Sequence, residues 1–146
     1  MQSSLVDCVI LYINATPVGK GRPRFNPFGQ PYTPAKTRRF ERMVKERAQE
    51  IMKDKAPFGQ DLDIHMNVDF YYAPPKSWSK KKKEHCLSGR EPKLTKPDLT
   101  NLAKSIEDAC NGVVYEDDKC ITDLHLTKQY SKEDEIFVKV EAWSVP

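Results

Sequence analysis

Lys96-Pro97-Asp98-Leu99-Thr100-Asn101-Leu102-Ala103-Lys104, continued at 105–121 by SIEDACNGVVYEDDKCI, decides the fold of this chain. Asp98 suits the cap of a helix, because a short side-chain oxygen can accept from the unpaired amides of a first turn. Leu99, Leu102, Ala103, Ile106, Ala109 and Cys110 recur at helical spacing and form one apolar stripe. Gly112 ends the helix, as glycine does where the backbone must turn left-handed. The chain then turns through Val113-Val114-Tyr115 and enters a strand near Cys120. The polar residues of the segment stand apart from the stripe. Asp98, Asn101 and Lys104 share the face opposite it, with position 108, and Glu116, Asp117 and Asp118 follow the helix.

Working outward, Leu5–Asn14 is rich in Val, Ile and Tyr and reads as a strand. Thr16–Pro34 is broken by prolines and glycines and reads as a loop. Pro34 suits a first helical turn with Thr33 as its cap, and the helix runs to about Lys53 with Phe40, Met43, Val44, Ala48 and Ile51 on one stripe. Leu62, Ile64, Met66, Val68, Phe70 and Tyr72 alternate along a half-buried strand that Pro74-Pro75 stops. Ser77–Cys86 reads as a short lysine-rich helix anchored by Trp78, and Ser88–Lys96 as a loop. Strands at Cys120–Tyr130 and Glu135–Val145 close the chain, joined by a polar turn at Ser131–Asp134. The order β-α-β-α-α-β-β predicts a single α+β domain over residues 1–146, with a mixed sheet packed against helices.

Charge is unevenly spread. Residues 18–55 hold eleven Lys/Arg against four Asp/Glu, and residues 74–96 hold eight against two. Residues 97–146 reverse the balance, with five against eleven, so the overall +3 conceals basic and acidic regions. Basic regions can neutralise phosphates, whereas the acidic region would repel a polyanion unless cations intervene. Four cysteines, at 8, 86, 110 and 120, have neither a Cys-x-x-Cys pair nor zinc spacing. They read as reduced thiols in a cytoplasmic protein, and the N-terminus lacks the pattern of a signal peptide. No apolar run is long enough to span a membrane. His65, His85 and His125 are scattered and read as ordinary residues.

Carboxylates gathered near a basic groove suit Mg²⁺, which binds through one or two carboxylates and fills its shell with water or phosphate oxygens. A lysine beside them can neutralise charge on a phosphate or protonate a departing oxygen. The plainer reading stands beside this one: Asp98 is only a cap, Lys104 a surface cation and Glu116–Asp118 a polar turn.

The segment Lys96–Asp118 resembles the RusA family of Holliday-junction resolvases. The Lys-Pro-Asp opening, the Asn-Leu pair, the lysine two residues on, Asn-Gly and the Asp-Asp pair before a strand all match in order. GKGRPRF at 19–25, PYTPAKT at 31–37 and PPKSWSKKKK at 74–83 extend the likeness over roughly 8–143. The resemblance implies an Mg²⁺-dependent endodeoxyribonuclease, Mn²⁺ being an alternative ion. It implies paired symmetrical cuts in four-way DNA junctions during recombination and repair, by a homodimeric α+β fold of bacterial or phage origin. By position it makes Asp98, Lys104 and Asp118 the catalytic residues and Asp98, Asp117 and Asp118 the metal ligands. Asn101 matches the motif asparagine. Thr100 stands where the family usually has a second aspartate, so either Glu116 or Asp117 compensates, or metal affinity is reduced, or activity is impaired. Lys20, Arg22, Arg24 and Lys80, Lys81, Lys82 and Lys83 are the expected DNA contacts. Phe25 and Phe28 either wedge at a branch point or pack on the domain. Phe137, Val140 and Trp143 read as core or dimer interface. The rival readings are a non-catalytic binder of branched DNA whose metal site has degraded at Thr100, and a nuclease for flaps or other branched DNA.

Overall fold

A computed structural model describes residues 2–21, 23–89 and 91–146. Ten elements follow in order: β1 (Leu5–Ile13), β2 (Arg24–Phe25), β3 (Pro31–Tyr32), α1 (Ala35–Ile51), β4 (Asp63–Tyr72), α2 (Lys80–Leu87), α3 (Leu99–Cys110), a 3₁₀ turn at Asp118–Cys120, β5 (Ile121–Tyr130) and β6 (Glu135–Trp143). Four strands form one mixed sheet in the order β1-β6-β4-β5. Only the β4–β5 pair is parallel, as befits two strands joined by a crossover that contains α2 and α3. The single α+β domain with a mixed sheet agrees with the sequence reading.

Alternation along β4 builds the core. Ile64, Met66, Val68 and Phe70 are wholly buried, and they meet Val9, Leu11, Val138 and Val140 from β1 and β6 on the same side. Helices α1 and α3 cover that side with Phe40, Val44 and Ala48 from one and Leu102, Ile106 and Ala109 from the other. Burying each of the larger of these side chains contributes about 1.5–3 kcal/mol, which outweighs the weak intrinsic preferences of the individual strands and helices. The other side of the sheet carries His65, Asn67, Asp69 and Tyr71 from β4 beside Ile10, Tyr12, Phe137 and Lys139.

Four local expectations change. The α1 cap is Pro34, not Thr33, and it makes no side-chain cap bond; Thr37, Phe40, Val44 and Ala48 are the buried stripe, with Met43 turned outward. Helix α2 begins at Lys80 rather than Ser77, capped by the Ser79 hydroxyl, which accepts from the Lys82 amide. The loop at 16–34 contains the β2–β3 hairpin, whose two-residue strands are too short to leave an alternating pattern. Finally, the 131–134 link does not make a hairpin of β5 and β6. It crosses the end of β4, where Ser131 N donates to Tyr72 O and Ala73 N to Asp134 Oδ1, and β6 enters the sheet between β1 and β4. β6 alternates Ile136, Val138, Val140 and Ala142 at full burial, which suits an interior strand, whereas β5 is more exposed and sits at the edge.

Candidate active site

Helix α3 is the spine of the site. Its apolar stripe fixes it on the sheet, so its other face is held towards solvent beside the loop 16–21. Asp98 occupies the cap position, but its side chain makes no cap bond. Its Oδ1 accepts instead from Asn101 Nδ2 at 3.2 Å, which leaves an exposed carboxylate oriented by an amide one turn on. Thr100 lies exposed on the same turn.

One turn further, Lys104 Nζ lies 3.2 Å from Asp108 Oδ1. The other oxygen of Asp108 accepts from Lys20 Nζ, and Lys20 also lies 3.3 Å from Glu41 Oε1 of α1. The Lys20 amide donates to Asn101 O at 2.9 Å, so both ends of this lysine are fixed on α3. Gly19 packs so closely that a Cβ there would stand 3.1 Å from the Cβ of Pro97 and 3.3 Å from that of Asn101. Burial opposes ionisation of Asp108, but Lys20 and Lys104 outweigh it and hold the carboxyl below its ordinary value. The hydrogen bond and charge of Asp108 in turn raise Lys104, to which Asp118 and Glu107 add, so Lys104 is firmly cationic. Lys104 keeps about half its side chain exposed and can still reach a phosphate.

The second acidic group lies past the far end of α3. Gly112 turns at φ 79°, Tyr115 is fully buried and its hydroxyl donates to Glu107 O at 2.8 Å, and Asn111 Oδ1 accepts from the Asp118 amide at 3.1 Å. Asp117 Oδ1 accepts from Lys119 N at 2.9 Å and caps the 3₁₀ turn. Glu116 is exposed. Glu107 is pushed up by burial, with Asp118 and Asp108 adding to the push and Lys104 opposing it. The charge of Asp118 thus acts on both Glu107 and Lys104.

Sequence reading placed Asp98 and Asp117–Asp118 at the two ends of this helix. The helix has 12 residues, so the two ends lie about 18 Å apart. Asp98 stands at the first of these ends, whereas Asp118 follows the turn after the second and is carried back within electrostatic reach of Glu107 and Lys104. Among the described residues no group of three or more His, Cys, Asp or Glu side chains is placed to hold a metal ion. A hard divalent ion needs fewer protein ligands when phosphate supplies the rest, and the Asp118 end, with Glu107 beside it, offers two carboxylates of the right chemistry.

The basic residues divide. Between the loop 16–21 and the segment 96–97 lies a cleft of about 450 Å³, lined by Gly19, Gly21, Arg24, Lys36, Lys96 and Pro97 among others. Its cations Arg24, Lys36 and Lys96 are exposed, and Pro97 on its wall immediately precedes Asp98. Lys20, by contrast, has its charge matched by Asp108 and Glu41, which makes it a strut rather than a free phosphate contact. Arg22 lies outside the described residues. On α2, Lys80, Lys81 and Lys82 are exposed and Lys83 half-buried. Lys82 Nζ sits 3.8 Å over the Trp78 ring, whose centroid is 5.7 Å from that of Tyr130, so Trp78 does anchor its helix. The sequence reading put position 108 on the right face without a role, and it missed Glu41, Glu107, Lys36 and the site use of Lys96. A lysine four residues before an aspartate was the readable signal for Asp108; no local pattern links Glu41 to Lys20.

With this arrangement in view, residues 14–141 match the family described as Endodeoxyribonuclease RusA. The chain belongs to the RusA family. It is also 34% identical over 140 residues to an uncharacterised protein, YqaN, of Bacillus subtilis (strain 168), covering 92% of this chain and 96% of that one. RusA membership implies endodeoxyribonuclease activity of the Holliday-junction resolvase kind and an association with branched DNA in recombination. RusA nucleases are typically dependent on divalent metals. Among the described residues no helix is long and apolar enough to cross a membrane.

Proposed function

We propose that this protein is a divalent-metal-dependent endonuclease that resolves four-way DNA junctions by paired symmetrical nicks, working as a homodimer. The observation that carries the reading is Lys104, ion-paired to Asp108 and within electrostatic reach of Asp118 on a helix whose other end presents Asp98 beside a basic cleft. In this reading Asp98, Asp117 and Asp118 are the acids of the reaction and Mg²⁺ or Mn²⁺ the ion, with Glu107 supporting Asp118. When bound, the ion supplies Lewis acidity to the phosphodiester. The chain's own residues do the rest. Arg24, Lys36, Lys96 and the lysines of α2 draw in the DNA backbone. As a water oxygen bonds to phosphorus and the P–O3′ bond breaks, Lys104 neutralises charge building on the phosphate or delivers a proton from Nζ to the departing 3′ oxygen, leaving 3′-hydroxyl and 5′-phosphate ends. A two-fold dimer on a two-fold junction would place such groups at both cut positions.

The test is cleavage of a synthetic four-way junction, with duplex and flap controls, in Mg²⁺ and in EDTA. Paired nicks that require the ion are expected. Asp98→Asn and Asp118→Asn are each expected to abolish nicking with junction binding retained; unchanged nicking by both variants would reject the assignment. Preferential cutting of flaps would turn the reading towards another branched substrate. A second reading, a junction-binding protein without activity, draws on the exposed Thr100 beside Asp98, where an acid is absent. Thr100→Asp discriminates: gained nicking in an inactive parent supports it, and no gain in an already active one rejects it.

A further inference from the structure

We infer that the β2–β3 hairpin is a wedge whose tip residue, Phe28, inserts into the base stack at the branch point, a role that rests on the junction reading above. Phe28 is 87% exposed, among the most exposed large apolar side chains of the described residues. Phe25 and Tyr32 on the hairpin strands are also exposed, at 68% and 46%, so the projection carries aromatic surface open to solvent. For Phe28 this excludes burial against the domain as the reason for its ring.

The tip is held in shape although its rings are free. Asn26 Oδ1 accepts from the amides of Phe28 and Gln30, each at 2.9 Å, and Asn26 Nδ2 reaches Gln30 Oε1 at 3.0 Å. Asn26 N donates to Gln30 O, Gly29 N to Asn26 O, and Gly29 turns at φ 75°. A pre-formed turn presents the ring at small further entropic cost on binding. The occupant is set by charge. The hairpin rises from Arg24 at the rim of the cleft that also carries Lys36 and Lys96, beside Asp98. A cationic cleft flanking an exposed ring suits a phosphodiester strand with its bases splayed, because the cations hold the backbone while the ring replaces a lost stacking partner. Stacking on Phe28 then offsets the cost of opening the base step, so the wedge acts on geometry more than on affinity.

The experiment uses a four-way junction carrying 2-aminopurine beside the crossover, with Ca²⁺ for the binding arm and Mg²⁺ for the cutting arm. Wild-type protein is expected to raise the fluorescence at saturation. Phe28→Ala is expected to lose that rise and to nick about tenfold more slowly, with the junction Kd changed less than about threefold. Phe28→Trp is expected to restore both signals. A fluorescence rise in Phe28→Ala equal to that of wild type overturns the inference. Wild-type cutting without any branch-point signal rejects the wedge and leaves the nuclease reading standing. A branch-point signal that requires Phe28, without cutting, rejects the nuclease reading and upholds the wedge. Loss of both binding and cutting in wild type rejects both.

Discussion

Asp108 sits between the two lysines that matter most to the site, one oxygen towards Lys104 and the other towards Lys20. Its carboxylate therefore sets two things at once: where Lys104 Nζ stands and how the loop 16–21 is tied to α3. Asp108→Asn keeps the volume and one acceptor but removes the charge, and Lys20 then has only Glu41. Leaving partly buried charges without a partner costs about 1–3 kcal/mol, which for a chain of this size is a melting-temperature fall of several degrees. The pH dependence has a defined sign. Asp108 ionises below its ordinary value of 3.8, so its contribution is present above that value and is lost as pH falls through the folded-state value. Lys20 and Lys104 are raised above 10.5, so their share is present below that value and is lost as pH rises through their folded-state values. The melting-temperature gap between wild type and Asp108→Asn should thus be full at neutral pH and shrink below pH 3.8. A gap that persists unchanged under strong acid would show that charge is not its source. Nicking by Asp108→Asn should fall in kcat more than it rises in KM, because Lys104 is displaced rather than lost, and Asp108→Glu should recover part of it.

At the scale of elements, α3 and the loop 16–21 form one unit, and Gly19 is where they touch. The two atoms that an added methyl would meet are Cβ atoms, fixed by their backbones, and neither can rotate away. Gly19→Ala must therefore shift the loop and α3 apart by a few tenths of an ångström. It should destabilise the protein by about 1–3 kcal/mol and weaken junction binding, because Gly21, Arg24 and the cleft wall move with the loop. Thermal melting and a junction titration check both; a variant with wild-type stability would mean that the loop yields freely. This contact also shows where sequence reading stops. The stripe of α3 and the alternation of β4 were legible because burial imposes a period on neighbouring residues. The β2–β3 hairpin and the placement of β6 were not, since two-residue strands show no period and strand order is set by packing between distant segments. The acids were legible one by one, but their spacing along α3 was not, because it depends on where the turn after Gly112 delivers Asp118.

For the molecule as a whole, the two sides of the sheet are unlike. One is sealed by α1 and α3; the other presents Ile10 at 59% and Phe137 at 38% exposure, with Tyr12 and Tyr71 grouped round Phe137 at ring distances of 4.9 and 5.8 Å. Ile10 and Phe137 lie on the neighbouring strands β1 and β6, where Tyr12 is opposite Phe137 and Lys139 opposite Ile10, so this is an apolar-aromatic strip interrupted by one lysine. A homodimer that uses this strip would bury it against its own copy, leaving both α3 faces open to DNA, since α3 packs on the opposite side of the sheet. Ile10→Glu places a charge at its centre without touching the core, because Ile10 faces away from α1 and α3. The dimer reading therefore predicts that wild type has twice the 16.8 kDa chain mass in light scattering and that Ile10→Glu has the mass of one chain, with its melting temperature little changed. On a junction the variant should make single, uncoupled nicks where wild type makes pairs. A dimer that survives Ile10→Glu would move the interface to another surface, and paired nicks from a demonstrable monomer would remove the need for a dimer.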